Sequence, residues 1–100
     1  HITGGGLPGN LPRVLPDGLG VRLGAPWKRP GILELVAECV EEHELRRVFN
    51  LGIGCVFGVP EAEEARATEA LRALGEDPVA LGEVIALPPE TDFEARVVFP

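Results

Sequence analysis

The succession of apolar patterns along this 100-residue chain predicts an α+β fold, a mixed β-sheet with helices packed on one face. Two periodicities predict it. Apolar residues recur at three- and four-residue spacing after Pro30, across Glu42–Val48 and across residues 60–74, as helix faces do. Between and beyond these windows, β-branched stretches at Leu19–Leu23, 53–59, 79–87 and 94–99 read as strands. A third observation bounds the size: 100 residues with 45% hydrophobic content make one compact domain with its own core, and not two.

The chain opens on His1-Ile2-Thr3-Gly4-Gly5-Gly6. Residues 10–15 follow as a short helix, with Asn10 as N-cap, Pro12 in the first turn, and Leu11, Val14 and Leu15 as its apolar stripe. Pro16-Asp17-Gly18 is a turn, and Leu19–Leu23 alternates apolar with small or polar residues, as a strand with one buried face does. Residues 24–30 make a stiff connector in which Trp27 packs over the edge of the core. Pro30 then opens a helix with the stripe Ile32, Leu35, Val36, Cys39 and Val40. The shorter helix Glu42–Val48 carries Leu45 and Val48 on the same face as Phe49, and Glu42 precedes Arg46 by four residues, the favourable order for an ion pair.

Residues 53–59 read as a central strand crowded on one side, because Gly52 and Gly54 fall on one face. If this strand lies parallel to Leu19–Leu23, the crossover between them is right-handed. Residues 60–74 form the clearest helix. Glu61, Glu63 and Glu64 complement the dipole in its first turn, Ala67, Leu71 and Leu74 face inward, and Gly75 stops it. A strand over 79–87 with a bulge at Gly82-Glu83, a turn at 88–92 and a last strand over 94–99 complete the chain.

A formal charge of -7 excludes a nucleic-acid groove and a polybasic membrane patch. The longest nearly apolar stretch, residues 51–60, is too short to span a bilayer, and no signal peptide is read, so a cytoplasmic location is expected. Cys39 and Cys55 lie in apolar runs without metal-ligand spacing; they are expected as reduced core residues, with no metal site. His43 stands among Glu41, Glu42 and Glu44 on a solvated face. The chain begins inside its most distinctive motif and not with Met, as a piece of a longer protein would. Ser, Gln, Met and Tyr are absent while Pro and Arg are frequent, a composition that leans towards a heat-adapted source.

The glycine run supports two uses. Three glycines before Leu7-Pro8-Gly9 make an ordinary wide turn, or else a loop whose bare amides, at the positive end of a helix, receive a phosphate. A Walker loop is excluded, since the only lysine is Lys28. The chain's two asparagines, Asn10 and Asn50, both fall in glycine-bearing stretches; Asn50 either caps a turn or points into a site.

His1-Ile2-Thr3-Gly4-Gly5-Gly6, Asn10-Leu11-Pro12-Arg13-Val14-Leu15-Pro16 and Arg47-Val48-Phe49-Asn50-Leu51-Gly52-Ile53-Gly54 together resemble the phosphoribosylformylglycinamidine cyclo-ligases, or aminoimidazole ribonucleotide synthetases, of purine biosynthesis. The resemblance covers nearly the whole chain and corresponds to most of the C-terminal domain of a two-domain enzyme. Its departures are Val48, where the family usually shows Thr, and Glu38-Cys39 in place of a Gly-rich turn. It implies a ligase that uses ATP to activate the formyl-amide oxygen of formylglycinamidine ribonucleotide before ring closure, releasing ADP and phosphate. It further implies a cytoplasmic homodimer in which an N-terminal domain, not among these residues, holds ATP and Mg²⁺.

On this resemblance Gly4, Gly5 and Gly6 would bind a phosphate, Arg13 would add charge, Thr3, Asn10 and Asn50 would orient polar groups, and His1 would donate a hydrogen bond or shuttle a proton. The isolated chain is expected to have no turnover. Related ATP-using enzymes, thiamin-monophosphate kinase and selenophosphate synthetase among them, share similar glycine loops. A kinase-like relative is therefore one alternative, and a non-catalytic ligand-binding or dimerisation module is the other.

Overall fold

A computed structural model describes residues 1–100. Strand β1 (Leu19–Leu23) lies at the centre of a three-stranded sheet, with β2 (Gly82–Ala86) antiparallel on one side and β3 (Val97–Val98) parallel on the other. The sheet is therefore mixed. Leu19 pairs with Ala86, Leu23 with Gly82 and Val21 with Val97. Alternation puts Val21 and Leu23 on one face. There, beside Val97, they meet Ile2, Leu7 and Leu11 from the amino-terminal segment, which form the first core cluster. The other face is wet: Arg22 and Glu83, cross-strand partners, form an ion pair at 3.3 Å with both side chains mostly exposed. Helical segments on one face of a mixed sheet are the predicted α+β arrangement.

The helical stretch read at residues 10–15 forms as a 3-10 turn with Asn10 at its N-cap position and Pro12 in its first turn, and a helix that the pattern did not show precedes it. Helix α1 spans Gly6–Asn10 and runs into a 3-10 turn at Leu11–Val14. Asn10 is the last residue of α1, it makes no side-chain cap bond, and Val14 is 82% exposed. The sequence Gly-Leu-Pro-Gly-Asn has poor helix propensity; tertiary packing, which fully buries Leu7, holds the turn together.

Helices α2 (Gly31–Ala37) and α3 (Glu42–Val48) occupy the predicted windows and close a second cluster around Leu33, Leu45 and Leu51. In α2 the inward positions are Leu33 and Val36, with Val40 beyond the helix end, while Ile32 and Leu35 are exposed. Gly-Ile-Leu-Glu-Leu-Val-Ala offers two overlapping stripes, and only contact with α3 and Leu51 chooses between them. Trp27 and Phe99 touch both clusters and join them, as Trp27's expected place at the core edge requires.

Residues 53–59 are not a strand. The carbonyl of Gly54 accepts the Ile2 amide at 2.9 Å, but no ladder forms, and the parallel neighbour of β1 is β3 instead. A 3-10 turn at Glu61–Glu63 leads into α4 (Glu64–Ala73), which ends as the pattern predicts. Gly75 adopts φ 86, its amide donates to Arg72, and the Glu76 amide donates to Leu71, a Schellman closure. Yet α4 buries no residue, and Leu74, expected inside, is 79% exposed. Strand β2 pairs in continuous register without a bulge; Gly82 is needed because a Cβ there would stand 2.9 Å from the Leu23 Cα. The last predicted strand shortens to a 3-10 turn, Glu94–Arg96, and the two residues of β3. Cys39 and Cys55, expected in the core, are both free and exposed.

Candidate functional site

The glycine loop divides into a structural half and an open half. Gly5 and Gly6 have φ of 92 and 59, values that favour glycine. The Gly6 amide donates to the Thr3 carbonyl at 3.1 Å, so it is not available to a ligand as expected. A Cβ on Gly6 would come within 2.6 Å of the Phe49 carbonyl oxygen and would also strike that of Arg46. Gly6 is therefore glycine because the end of α3 rests on it. The amides of Gly4 and Gly5, in contrast, donate to no protein acceptor. Gly4 is exposed, and an added Cβ would meet nothing within 4 Å. Two N–H groups are thus left without a protein acceptor, one on the exposed Gly4 and one on the half-buried Gly5.

Asn10 makes that loop rigid. Only 7% exposed, it donates through Nδ2 to the carbonyls of Gly6 (2.7 Å), Gly4 (3.2 Å) and Thr3 (3.4 Å), and its Oδ1 accepts the Thr3 hydroxyl at 3.3 Å. Both ends of the amide are engaged. The polar groups that Asn10 orients are those of its own loop. The carbonyls of Thr3, Gly4 and Gly6 are all turned towards this one donor. Thr3 is exposed; its hydroxyl donates inward to Asn10 while keeping acceptor capacity.

Arg13 lies in the 3-10 turn that continues from Asn10, exposed and without any hydrogen-bond or ion-pair partner in the protein. It is an unpaired positive charge close in sequence to the loop. His1 is exposed, and nothing in the protein engages its ring. Ile2, next to it, is anchored both by burial and by its bond to Gly54.

Asn50 caps a turn. Its Oδ1 accepts the Gly52 amide at 2.9 Å, and the Ile53 amide donates to its carbonyl at 3.0 Å. Leu51 and Gly52 have φ of 56 and 89, so the two central residues both have the positive φ of a type I′ turn. That φ is unusual for leucine. Full burial of the Leu51 side chain and a 2.9 Å bond from the Trp27 indole N–H to its carbonyl hold it there. At Gly52 a Cβ would press to 2.6 Å from the Pro30 Cδ, so this glycine serves the turn and not a crowded strand. The Asn50 Nδ2 donates to nothing in the protein. Contacts from Gly6 to Phe49 and from Ile2 to Gly54 set this turn beside the glycine loop.

One ion network braces the support. Glu42 accepts from Arg29 at 2.9 and 2.6 Å and from Arg46 at 2.8 Å, the last being the pair visible from spacing. The Arg29 hydrogen bonds, opposed by partial desolvation and helped by Arg46, bring the Glu42 carboxyl down to about 2, while the same bonds raise Arg29. Arg46 also lies 4.4 Å from the Phe99 ring centroid. The network ties the 24–30 connector to α3, whose last carbonyls meet Gly6. Sequence spacing showed Arg46 but could not show Arg29, thirteen residues from Glu42. No three His, Cys, Asp or Glu side chains converge in a way that could hold a metal ion.

A mixed-sheet α+β domain with a braced glycine loop, two of whose amides have no acceptor in the protein, is what fold and site define. Residues 1–91 match the family described as AIR synthase related protein, C-terminal domain, and the chain belongs to that family. It is 51% identical over 102 residues to a phosphoribosylformylglycinamidine cyclo-ligase of Sorangium cellulosum, covering 99% of this chain and 29% of that protein. It is 48% identical over 87 residues to the protein of the same name from an Anaeromyxobacter species, with 84% of this chain and 25% of the relative aligned. For Anaeromyxobacter dehalogenans the figures are 47% over 89 residues, 86% and 26%. The chain thus spans less than a third of the length of these relatives. No helix is long and apolar enough to cross a membrane.

Proposed function

We propose that this chain is the substrate-side part of an ATP-dependent cyclo-ligase that converts formylglycinamidine ribonucleotide to aminoimidazole ribonucleotide, with ADP and phosphate as the other products. The observation that carries the proposal is the pair of unbonded amides at Gly4 and Gly5, in a loop held by Asn10. They would receive an oxygen of the ribonucleotide phosphate or of the transferring phosphoryl group, with Arg13 swinging in to neutralise charge. Asn50 Nδ2 offers a further donor from the neighbouring turn, and Thr3 a hydroxyl. Positioning of this kind suits a reaction whose difficulty lies in activating a poor leaving oxygen and holding a flexible substrate in its cyclising conformer. The relatives' shared name supports the reaction.

No carboxylate set here suits Mg²⁺, so the ATP and Mg²⁺ that the reaction requires would be held elsewhere in the full-length protein, by an N-terminal domain or by a partner subunit of a homodimer. The test is a binding titration of full-length protein with formylglycinamidine ribonucleotide, comparing wild type with Arg13→Ala and Gly4→Val. Gly4 is the informative glycine, because its φ is not positive and a side chain there meets only open space. Each variant is expected to weaken binding by about tenfold or more. Unchanged affinity in both would overturn the proposal.

A further inference from the structure

Arg96 is the one buried charged side chain, 7% exposed, and it has no carboxylate partner. Its guanidinium instead binds three carbonyls. Nε donates to Leu19 at 2.7 Å, and Nη2 donates to Leu15 at 3.1 Å and to Pro16 at 2.5 Å. Leu15 and Pro16 directly follow the 3-10 turn Leu11–Val14 that carries Arg13. Carbonyls at the end of a helical turn lack partners within it. Here the Leu15 carbonyl finds one 81 positions later in the chain, and the Pro16 carbonyl, which also accepts the Leu19 amide at 3.3 Å, shares it.

Arg96 is itself pinned. Its carbonyl oxygen would stand 2.5 Å from a Cβ on Gly20, so only glycine lets this segment lie so close to β1. Val97, next to it, packs in the same cluster as Ile2, Leu7 and Leu11. The guanidinium therefore connects the rigid sheet to the exit of the turn on which Arg13 rides.

We propose that Arg96 is a positioning residue for the anion site: by clamping the Leu15 and Pro16 carbonyls it fixes the turn that presents Arg13 to the phosphate. This rests on the phosphate-binding role proposed above. A purely structural Arg96 would contribute to stability and leave substrate affinity alone.

The experiment measures KM, kcat and thermal midpoint of the full-length protein with formylglycinamidine ribonucleotide, in Arg13→Ala, Arg96→Met, Arg96→Lys and Arg13→Ala combined with each Arg96 variant. Arg13→Ala and Arg96→Met are each expected to raise KM on the order of tenfold with kcat within about twofold. Arg96→Lys, which keeps the charge and can still reach a carbonyl, should recover part of that loss. Each double variant should stay within about twofold of Arg13→Ala, because both changes remove one interaction. Should Arg96→Met fail to fold, Arg96→Lys and its double variant give the same comparison. The inference is overturned if Arg96 variants lower the thermal midpoint at wild-type KM while Arg13→Ala raises KM, or if the two effects multiply. If Arg13→Ala itself leaves KM unchanged, the phosphate-binding role fails first, and the positioning role falls with it.

Discussion

All fourteen buried residues lie between Ile2 and Leu51 or at Arg96 and Val97, whereas residues 52–95 bury none. The second region is not poor in apolar side chains: Phe57, Val59, Leu74, Val79 and Val84 are among those it exposes. The difference is one of partners. In the first region α1, α2 and α3 converge on β1, Trp27 and one another, so each apolar stripe meets a second one. In the second, α4 stands on local terms alone, namely Ala-, Glu- and Arg-rich composition, acidic residues at its start and a Schellman end. Amphipathic spacing therefore shows which face of a helix can be buried; burial needs another surface. The site sits in the packed region, where a loop with bare amides can be held rigid.

The contrast can be broken first at its strongest point. Leu45→Ala, at a fully buried position, should lower unfolding free energy by about 2–5 kcal/mol in a urea titration. A loss below about 1 kcal/mol would mean that the packed region is looser than its burial indicates. Asn10→Ala comes next: removing the donor shared by three carbonyls should cost about 1–3 kcal/mol and speed hydrogen exchange at Gly6 and Gly9. Stability and exchange at wild-type values would show that the loop does not depend on its staple.

The ion network should have a smaller, pH-dependent effect. The Glu42 carboxyl lies at about 2 in the folded chain against an ordinary value of 4.5, so between those values the unfolded chain binds more protons. Its contribution is present above about 4.5 and disappears as pH falls through about 2. With the side chain 45% exposed, solvent screening keeps that contribution to no more than about 1 kcal/mol. Glu42→Gln should flatten this part of the stability profile; an unchanged acid limb would assign it to other carboxylates. Smallest of all, Leu74→Ala should move stability by less than about 0.5 kcal/mol. A larger loss would show that α4 is packed after all.

Much of the local structure was legible because its causes are local. Helices α2 and α3, the Glu42–Arg46 pair, the glycine stop after α4 and strand β1 each follow from spacing, charge order or a single residue type. Misreadings began where two outcomes share one pattern. Ile53, Val56 and Val59 carry strand character, yet a strand exists only when a neighbour completes its ladder. Gly52 looked like crowding within such a strand; it is the second residue of a turn with positive φ, pressed against Pro30. Of the site, the glycine run was visible as a motif, but its division into Gly6, packed against the end of α3, and Gly4 and Gly5, whose amides stay unbonded, was not. Arg96 offered one signal, a charge within the apolar run Val97-Val98-Phe99 and Ala95, though its acceptors are backbone oxygens that no side-chain pattern records.

By itself the order of residues determined the α+β class, the two helices over the second cluster and the glycine-rich loop, since propensity and periodicity act over a few neighbouring positions. Tertiary structure alone decided which stripe of α2 is inside, that Asn10 binds its own loop, and that Arg96 reaches back to Leu15 and Pro16. Those outcomes depend on contacts between residues far apart in the chain, where distance and hydrogen-bond geometry choose among partners that the sequence leaves equally available.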